Sequence, residues 1–579
     1  MSEVAIADVE PDHPSTRVVS RFRSGQLHRT IALLAVVSLF IGTVTSFDTV
    51  ILTNAPAGLT MIIGYGAALA LGVLVFTVRR PAILLAVDIG ILVCTLALRL
   101  PEFLLSLGTP QGRSGMPYTN DEGALVDLSG RTLLHGVDPY TVVWTGAHNL
   151  IQPVTLTMDG GAVDRVDYPP VTALLAAAFG WVFPNQPIAA LAALAGLLAA
   201  TILLFVLLPA PWRSAATMIC LGLGLFLMPF ARQGYPEIIA LPFVILAVNR
   251  WSHIGAGGRL GALGISSAIG LGLGCATQQI VWFMAPFLLV GVLLLRVGDL
   301  GTRRGWMIMA RYAGIAGLSF AVINAPFVIW HFSAWRSAMV TPLVARTVPH
   351  GQGLIGLTYN ILGGSGRLQA YSYATAALAI ALLACFALFI RTLGPAMVVL
   401  PWPIFFLSIR SSDKYFYLMA PVWLIALATV RQRDFAKAWQ VRFPRFARAA
   451  LALGLLVPAA GLATVAVVSP QPLKMTVLYV QPSKSSYTKE IFISVTNTSG
   501  RSIEPHFALS TTVALSRFWL TSGGPKTLKP GETAEYALLP PVATARRSLL
   551  GVPIMLRAVS AYPETMSSVA LPMLSARQS

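Results

Sequence analysis

Long apolar stretches separated by short polar segments run through most of the first 470 residues of the chain. Stretches of about 17–25 apolar residues can cross a hydrocarbon core about 30 Å thick. Because that core contains no water, each backbone polar group must bond within a helix. The pattern therefore predicts a polytopic α-helical membrane protein with about thirteen transmembrane helices, near residues 31–52, 57–77, 82–100, 187–209, 214–231, 236–250, 261–277, 279–296, 309–330, 370–391, 395–409, 414–430 and 449–468.

Three segments interrupt this helical pattern: 101–186, 331–369 and 470–579. The first is too polar to span for most of its length, and it ends in Tyr168-Pro169-Pro170 followed by the apolar run Val171–Phe183. We predict that this run is a helix lying at the membrane surface. The alternative is a true crossing, which would invert the orientation of every later basic loop.

The last of these segments differs in composition from the rest of the chain. Met475–Val480 and Glu490–Asn497 alternate with the period of β-strands, and turns rich in Ser, Gly and Pro lie between the apolar runs. About a hundred residues of short strands predict a small C-terminal β-sandwich. A carbohydrate-binding or docking role and a purely structural role are both open for it.

Composition and charge support the membrane prediction. Hydrophobic residues make up 55% of the chain and charged residues 11%, with a mean hydropathy of +0.71; a soluble domain has about 25% charged residues. The net charge of +18 does not indicate nucleic-acid binding, because the basic residues separate the apolar stretches as the positive-inside rule requires. The four cysteines all lie in apolar stretches, where we interpret them as small buried hydrophobes.

The charge rule also predicts which side each part of the chain faces. We expect a multi-pass protein of the plasma (inner) membrane with a cytosolic N-terminal tail at 1–29 and a transmembrane domain at 30–469. Its large loop 101–186 and a β-sandwich at 470–579 are predicted to be extracytoplasmic.

Three motifs follow one another in the loop 101–186: Asp121-Glu122-Gly123, Gly136-Val137-Asp138-Pro139-Tyr140 and Asp167-Tyr168-Pro169-Pro170. An acidic pair, a Gly-x-Asp-Pro-Tyr turn and a Tyr-Pro-Pro sequence in this order resemble the GT-C superfamily, in particular the actinobacterial polyprenyl-phosphate-sugar-dependent mannosyltransferases and arabinofuranosyltransferases. The resemblance implies a GT-C-like catalytic domain, a polyprenyl-phosphate sugar as donor and a cell-envelope glycan or glycolipid as acceptor.

The resemblance also gives the acidic pair a role. A sugar on polyprenyl phosphate already has a good leaving group, whereas the acceptor hydroxyl attacks readily only when a base takes its proton. The resemblance implies that Asp121 is this base and that Glu122 shares the role or orients the acceptor or a metal, so a divalent cation is a candidate cofactor. The alternative is that Asp121 caps a helix that starts near Gly123.

The leaving phosphate needs positive charge and hydrogen-bond donors. Four residues at predicted external helix ends are candidates, with snorkelling or binding of anionic lipid headgroups as the alternative: Arg410, Lys414, Arg232 and His350. Candidates for positioning the substrate are Asp138, Tyr140, Asp167, Tyr168 and Gln233. Asp138 is also compatible with closing its own turn, and Asp127 is interpreted as a solvated helix residue. Related enzymes often have a lysine near Gln278-Gln279, where this chain has none.

Two function classes remain open from the sequence, with a structural scaffold for envelope assembly as a third possibility. We expect an extracytoplasmic glycosyltransferase, because no glycine-rich nucleotide-binding loop is present for a nucleotide sugar in the cytosol. The alternative is a transporter or flippase of a lipid-linked saccharide, which would place ionisable residues inside the spans. The spans are nearly free of charge apart from Asp88, and no internal repeat is evident.

Overall fold

The computed structural model describes most of the chain. The described residues are 25–41, 55–78, 80–107, 117–144, 155–222, 227–412, 414–441, 443–482, 488–511, 515–541 and 554–572. Most of the predicted N-terminal tail, the second half of the predicted span 31–52 and part of the predicted span 214–231 lie outside them.

The described part of the chain is mainly helical. Its helices are α1 (Gly25–Ile41), α2 (Ala55–Thr77), α3 (Pro81–Leu107), α4 (Asp121–Leu134), α5 (Val171–Val182), α6 (Ile188–Leu207), α7 (Arg213–Thr217), α8 (Leu227–Arg232), α9 (Pro236–Val248), α10 (Gly261–Cys275), α11 (Ile280–Leu300), α12 (Thr302–Val344), α13 (Gln369–Leu388), α14 (Ile390–Leu393), α15 (Pro403–Leu407), α16 (Lys414–Tyr417), α17 (Ala420–Thr429) and α18 (Arg445–Val468).

Among the described residues, seven helices are long and apolar enough to cross a membrane. They coincide with the predicted spans 57–77, 82–100, 187–209, 279–296, 309–330, 370–391 and 449–468. This supports a helical membrane protein, but the predicted number of thirteen spans is not confirmed. Helices α9 and α10 are apolar but shorter, and so is the 12-residue α5, which forms at the predicted surface helix.

Two predicted elements differ from the structure. The predicted span 395–409 is not one helix, since only Pro403–Leu407 is α-helical after a short 3-10 turn; Pro401 and Pro403 lack the N–H groups that a continuous helix needs. The segment 331–369 was expected to break the helical pattern; α12 does break at the first residue of this segment, but a second helical stretch then runs to Val344. At the break His331 leaves helical geometry, and its ring bonds the Asp138 carboxylate (2.9 Å).

The chain divides into two compact units. The first comprises residues 1–106 and 197–229, and its described core packs α1, α2 and α3 together around Ala35, Leu39 and Ile91. One polar cluster is buried in this unit: Asp88 bonds the ring of His28 (2.7 Å) and accepts a hydrogen bond from the Ser214 hydroxyl.

The second unit comprises residues 107–196 and 230–579 and contains all described strands. The strands are β1 (His350–Gly351), β2 (Arg410–Ser411), β3 (Leu473–Pro482), β4 (Thr488–Asn497), β5 (His506–Ser510), β6 (Leu515–Phe518), β7 (Leu520–Ser522), β8 (Thr533–Leu539), β9 (Met555–Ala561) and β10 (Glu564–Ala570).

Strands β3 to β10 form two four-stranded antiparallel sheets, in the orders β10-β9-β5-β6 and β3-β4-β8-β7. Side chains of both sheets, such as Ile493 and Phe507, share one buried core, so the sheets form a sandwich. The alternate side chains of the first sheet, including Val559 and Met566, pack on Met158 and Tyr371 of the helical part. Both faces of this sheet are therefore covered, and backbone hydrogen bonds between Ser365 and Met566 strengthen the contact.

Candidate functional site

Five acidic side chains and two arginines line one cavity of about 370 Å³ in the second unit. These residues are Asp121, Glu122, Asp167, Glu237, Glu564, Arg410 and Arg346. Apolar side chains of α11, α12, α13 and α15 form another part of its wall: Ile280, Phe283, Leu343, Val344, Ala376, Ala379 and Phe405. The cavity thus joins a charged region to an apolar region formed by three helices long enough to cross a membrane and by the short helix α15.

The acidic pair stands in the first turn of α4. The residue that caps this helix is Asn120, whose side-chain oxygen accepts a hydrogen bond from the Gly123 N–H (2.8 Å). Asp121 is the first helical residue, so the alternative that it caps the helix is wrong. Its Oδ2 instead accepts a hydrogen bond from the backbone N–H of Thr155 (2.8 Å).

The turn that precedes α9 holds the start of α4. The Gln233 side-chain oxygen accepts hydrogen bonds from the Thr119 N–H (2.8 Å) and from the Asn120 amide (3.1 Å). A Cβ at Gly123 would lie 1.9 Å from the Gln233 carbonyl oxygen, so only glycine permits this approach. Gln233 therefore positions the acidic pair from behind the helix, and it is outside the described lining of the cavity.

Glu122 belongs to a buried ion cluster. The Lys414 ammonium pairs with Glu122 and with Glu237 (Nζ to Oε1, 3.2 Å), and it lies 4.5 Å above the centre of the Tyr235 ring. Burial raises the pKa of Glu122 to about 8; the Lys414 ammonium opposes this shift, and the charges of Glu237 and Asp121 add to it. Two carboxylates facing one ammonium thus favour uptake of a proton.

Asp167 lies close enough to Asp121 and Arg410 for their charges to act on it. Burial raises its pKa to about 7, and the negative charge of Asp121 adds to the shift while the positive charge of Arg410 opposes it. Its Oδ1 is buried and has no hydrogen-bond partner among the described residues. A pKa of about 7 suits Asp167 to exchange a proton near neutral pH.

The Gly-x-Asp-Pro-Tyr turn supports the wall beside the cavity. Asp138 accepts a hydrogen bond from the Tyr140 N–H (3.0 Å). It therefore closes its own turn, which was the alternative interpretation of this residue. The Tyr140 hydroxyl donates to the carbonyl of Tyr168 (2.8 Å), and the Tyr140 ring packs edge-on against Phe327. Tyr168 lines the large cavity, whereas Tyr140 lines a smaller neighbouring cavity of about 160 Å³.

Of the four residues predicted to bind phosphate, Arg410 lines the cavity. Its Nη2 donates to the Thr155 hydroxyl (3.1 Å), so Thr155 connects it to Asp121. His350 lies opposite Arg410 in the parallel pairing of β1 with β2, but its exposed ring packs edge-on against Tyr359. Arg232 is buried and donates to the Pro117 carbonyl (3.2 Å). His350, Arg232 and Lys414 are all outside the described lining of the cavity.

Sequence reasoning missed three charged residues of the cavity, Glu237, Arg346 and Glu564, and misinterpreted Asp127, which is outside the described cavity lining. Glu237 is a single acid in the first turn of an apolar helix after Tyr235-Pro236, a position that could have indicated a functional charge. Arg346 follows the end of α12 and shows no comparable signal. Asp127 was interpreted as solvated, which is wrong: it is buried and accepts hydrogen bonds from the Tyr118 hydroxyl (2.5 Å) and Arg131 Nε (2.6 Å).

The acidic pair fits a divalent cation poorly. Among the described residues, no group of three or more His, Cys, Asp or Glu side chains is arranged to hold a metal ion. The Lys414 ammonium already lies against the Oε1 atoms of Glu122 and Glu237 and would repel a cation bound there. We therefore assign no step to a metal.

No protein-family model, curated protein or solved structure matches this chain. The resemblance in the loop 101–186 is thus carried by the residues themselves.

Proposed function

We propose that this protein is an integral-membrane glycosyltransferase with a GT-C-like fold. It would transfer a sugar, mannose or arabinofuranose first among the candidates, from a polyprenyl-phosphate donor to a hydroxyl of a cell-envelope glycan or glycolipid. Transfer would take place on the extracytoplasmic side, where the loop 101–186 and the sandwich are predicted to lie. One observation carries the proposal: a single cavity combines carboxylates and arginines with an apolar wall of long apolar helices.

The apolar wall suits the lipid part of such a donor. Ile280 and Phe283 line it from the long helix α11, and Phe405 lines it from the short helix α15. A prenyl chain against this wall would stay in an apolar environment while its phosphate and sugar reach the charged region. A nucleotide sugar has no apolar part that would need such a wall.

The charged region suits the chemistry of transfer. Asp121 would take the proton of the acceptor hydroxyl while the acceptor oxygen forms a bond to the anomeric carbon. The bond from that carbon to the phosphate oxygen breaks, and its electron pair leaves with polyprenyl phosphate. Arg410 would stabilise the charge that develops on this phosphate. Asp167 is the second candidate to hold the proton, because its pKa is raised to about 7.

The test is transfer by the purified protein in lipid vesicles. Radiolabelled polyprenyl-phosphate mannose and arabinofuranose are supplied with a glycolipid acceptor, and we expect label in the acceptor with one of them. Loss of the base should lower the rate about 10²–10⁴-fold in Asp121→Asn, while Asp159→Asn, an exposed acid outside the cavity lining, should keep it. Full transfer by the double variant Asp121→Asn, Glu122→Gln would overturn the assignment of the base.

The buried pair of His28 and Asp88 favours a second candidate. Ionisable residues inside apolar spans commonly belong to the ion pathways of transporters. Asp88 lies inside the long apolar helix α3, and its partner His28 lies near the start of α1. A transporter or flippase of a lipid-linked saccharide would move a labelled lipid across vesicles without covalent transfer. Such movement, lost in Asp88→Asn, would reverse the ranking of the two functions.

A further inference from the structure

Arg346 lines the large cavity and is held there by the β-sandwich. Its Nε pairs with Glu564 (2.8 Å), its Nη1 donates to the carbonyl of Ala561 (3.2 Å), and its guanidinium carbon lies 3.8 Å from the centre of the Tyr562 ring. All three partners belong to β9, β10 or the turn between them. A single hairpin of the sandwich therefore fixes a cationic side chain of the helical part.

The backbone around Arg346 belongs to the same scaffold as the acidic pair. The Arg346 carbonyl accepts a hydrogen bond from the Met158 N–H (2.7 Å), and the Leu156 carbonyl accepts one from the Val348 N–H (2.9 Å). Thr155, next to Leu156, bonds both Asp121 and Arg410. The segment 155–158 thus connects the candidate base to both arginines of the cavity.

The guanidinium of Arg346 keeps donors for a ligand. Arginine has five N–H donors in a planar fork, and the contacts to Glu564 and Ala561 use Nε and one hydrogen of Nη1. Arg346 is also partly exposed, with 32% of its side chain accessible. Its planar fork matches a phosphate better than a lysine ammonium would.

We propose that Arg346 and Arg410 together bind the phosphate of the lipid donor, and that the sandwich is required for transfer because its β9–β10 hairpin holds Arg346 at the cavity. This inference rests on the proposed function. It gives the sandwich a task in the reaction beyond packing.

The charge of the phosphate predicts at which stage of the reaction Arg346 contributes most. In the donor, the phosphate is a diester with one negative charge, and in the product it is a monoester with a charge of about −1.5 to −2 at neutral pH. A second guanidinium therefore stabilises the departing phosphate more than the bound donor. Removing it should lower kcat more than it raises KM.

The experiment measures binding and transfer in matched arginine variants. Arg346→Gln should weaken binding of polyprenyl phosphate roughly 10–100-fold and lower kcat by a similar factor. Arg336→Gln is the control, because Arg336 is an exposed arginine of α12 outside the described cavity lining. Equal product affinity in the two variants would overturn the inference, and so would an unchanged kcat in Arg346→Gln.

A second pair of variants tests the hairpin. Tyr562→Ala removes the ring that covers the guanidinium and should weaken product binding, while Tyr562→Phe keeps the ring and should restore it. An equal loss in both variants, or no loss in either, would contradict the role given to the hairpin. Unchanged thermal midpoints would show that the variants are folded.

Failure of the inference and failure of the proposed function are distinguishable. If the wild-type protein transfers sugar but Arg346→Gln matches it, the function stands and the inference falls. If the wild-type protein transfers no sugar from any donor offered, the function falls; binding of polyprenyl phosphate that depends on Arg346 would then identify a phospholipid site without transferase activity.

Discussion

Replacing Asp167 by asparagine removes a carboxyl group whose ionisation the fold opposes. Its pKa is raised from 3.8 to about 7, chiefly by burial and then by the charge of Asp121. Between about pH 4 and pH 7 the folded protein therefore holds a proton that the unfolded chain has lost. Because the folded state binds more protons there, the free energy of unfolding of the wild type falls as pH rises through this window.

The size of the effect follows from the shift. One pKa unit corresponds to about 1.4 kcal/mol, so full ionisation of Asp167 costs the folded state at most roughly 4 kcal/mol. Since the side chain is partly exposed, solvent screens some of this cost. We expect the stability of Asp167→Asn relative to the wild type to rise by about 1–3 kcal/mol between pH 5 and pH 8.

Thermal unfolding of the detergent-solubilised protein at several pH values measures this difference. Asp159→Asn is the matched control, because the Thr157 hydroxyl bonds Asp159 and lowers the pKa of that carboxyl, so its titration ends below the window. The control should therefore differ from the wild type by the same amount at pH 5 and pH 8. A difference for Asp167→Asn that does not change with pH would refute the reasoning. If Asp167 holds the transferred proton, the variant also loses transfer activity.

Two further predictions concern the support of the acidic pair. Lys414→Met leaves two buried carboxylates without their ammonium and should cost about 3–5 kcal/mol of stability. Adding Glu122→Gln to this variant should recover part of the lost stability. Equal stability of the single and double variants in denaturant unfolding would contradict the ion cluster. Gly123→Ala places a Cβ against the Gln233 carbonyl and should cost about 1–3 kcal/mol and reduce transfer. Gly66→Ala in α2, where a Cβ meets no atom within 4 Å, should be neutral or stabilising in the same assays.

The predicted spans show which helices an apolar pattern can predict and which it cannot. Helices such as α6 and α13 lie close to their predicted positions, because the length of an apolar run fixes what can cross a hydrocarbon core. The pattern did not foresee the broken segment 395–409 or the continuation of α12 beyond His331. The broken segment depends on prolines within an apolar run. The break at His331 coincides with a bond to Asp138, which is distant in sequence.

The residues of the candidate site were likewise predicted only in part from the sequence. Asp121, Glu122, Asp167 and Tyr168 were predicted together because they share one loop, and all four line one cavity. Glu237, Arg346 and Glu564 were missed because each is a single charge in a separate segment. Lys414 was correctly noted as a charge at a helix end, but its partners, Glu122 and Glu237, come from two other helices.

The sequence by itself determined the membrane-protein class, the alternating strands of the C-terminal segment and the loop that carries the acidic pair. Those features follow from local properties: the length of apolar runs, the period of two in a strand and the neighbourhood of motifs along the chain. Only the tertiary structure decided that Asn120 rather than Asp121 caps α4, that Glu122 shares Lys414 with Glu237, and that the sandwich reaches Arg346. The physical reason is that the pKa and the contacts of a charged side chain depend on its partners and its burial, and segments distant in sequence supply both.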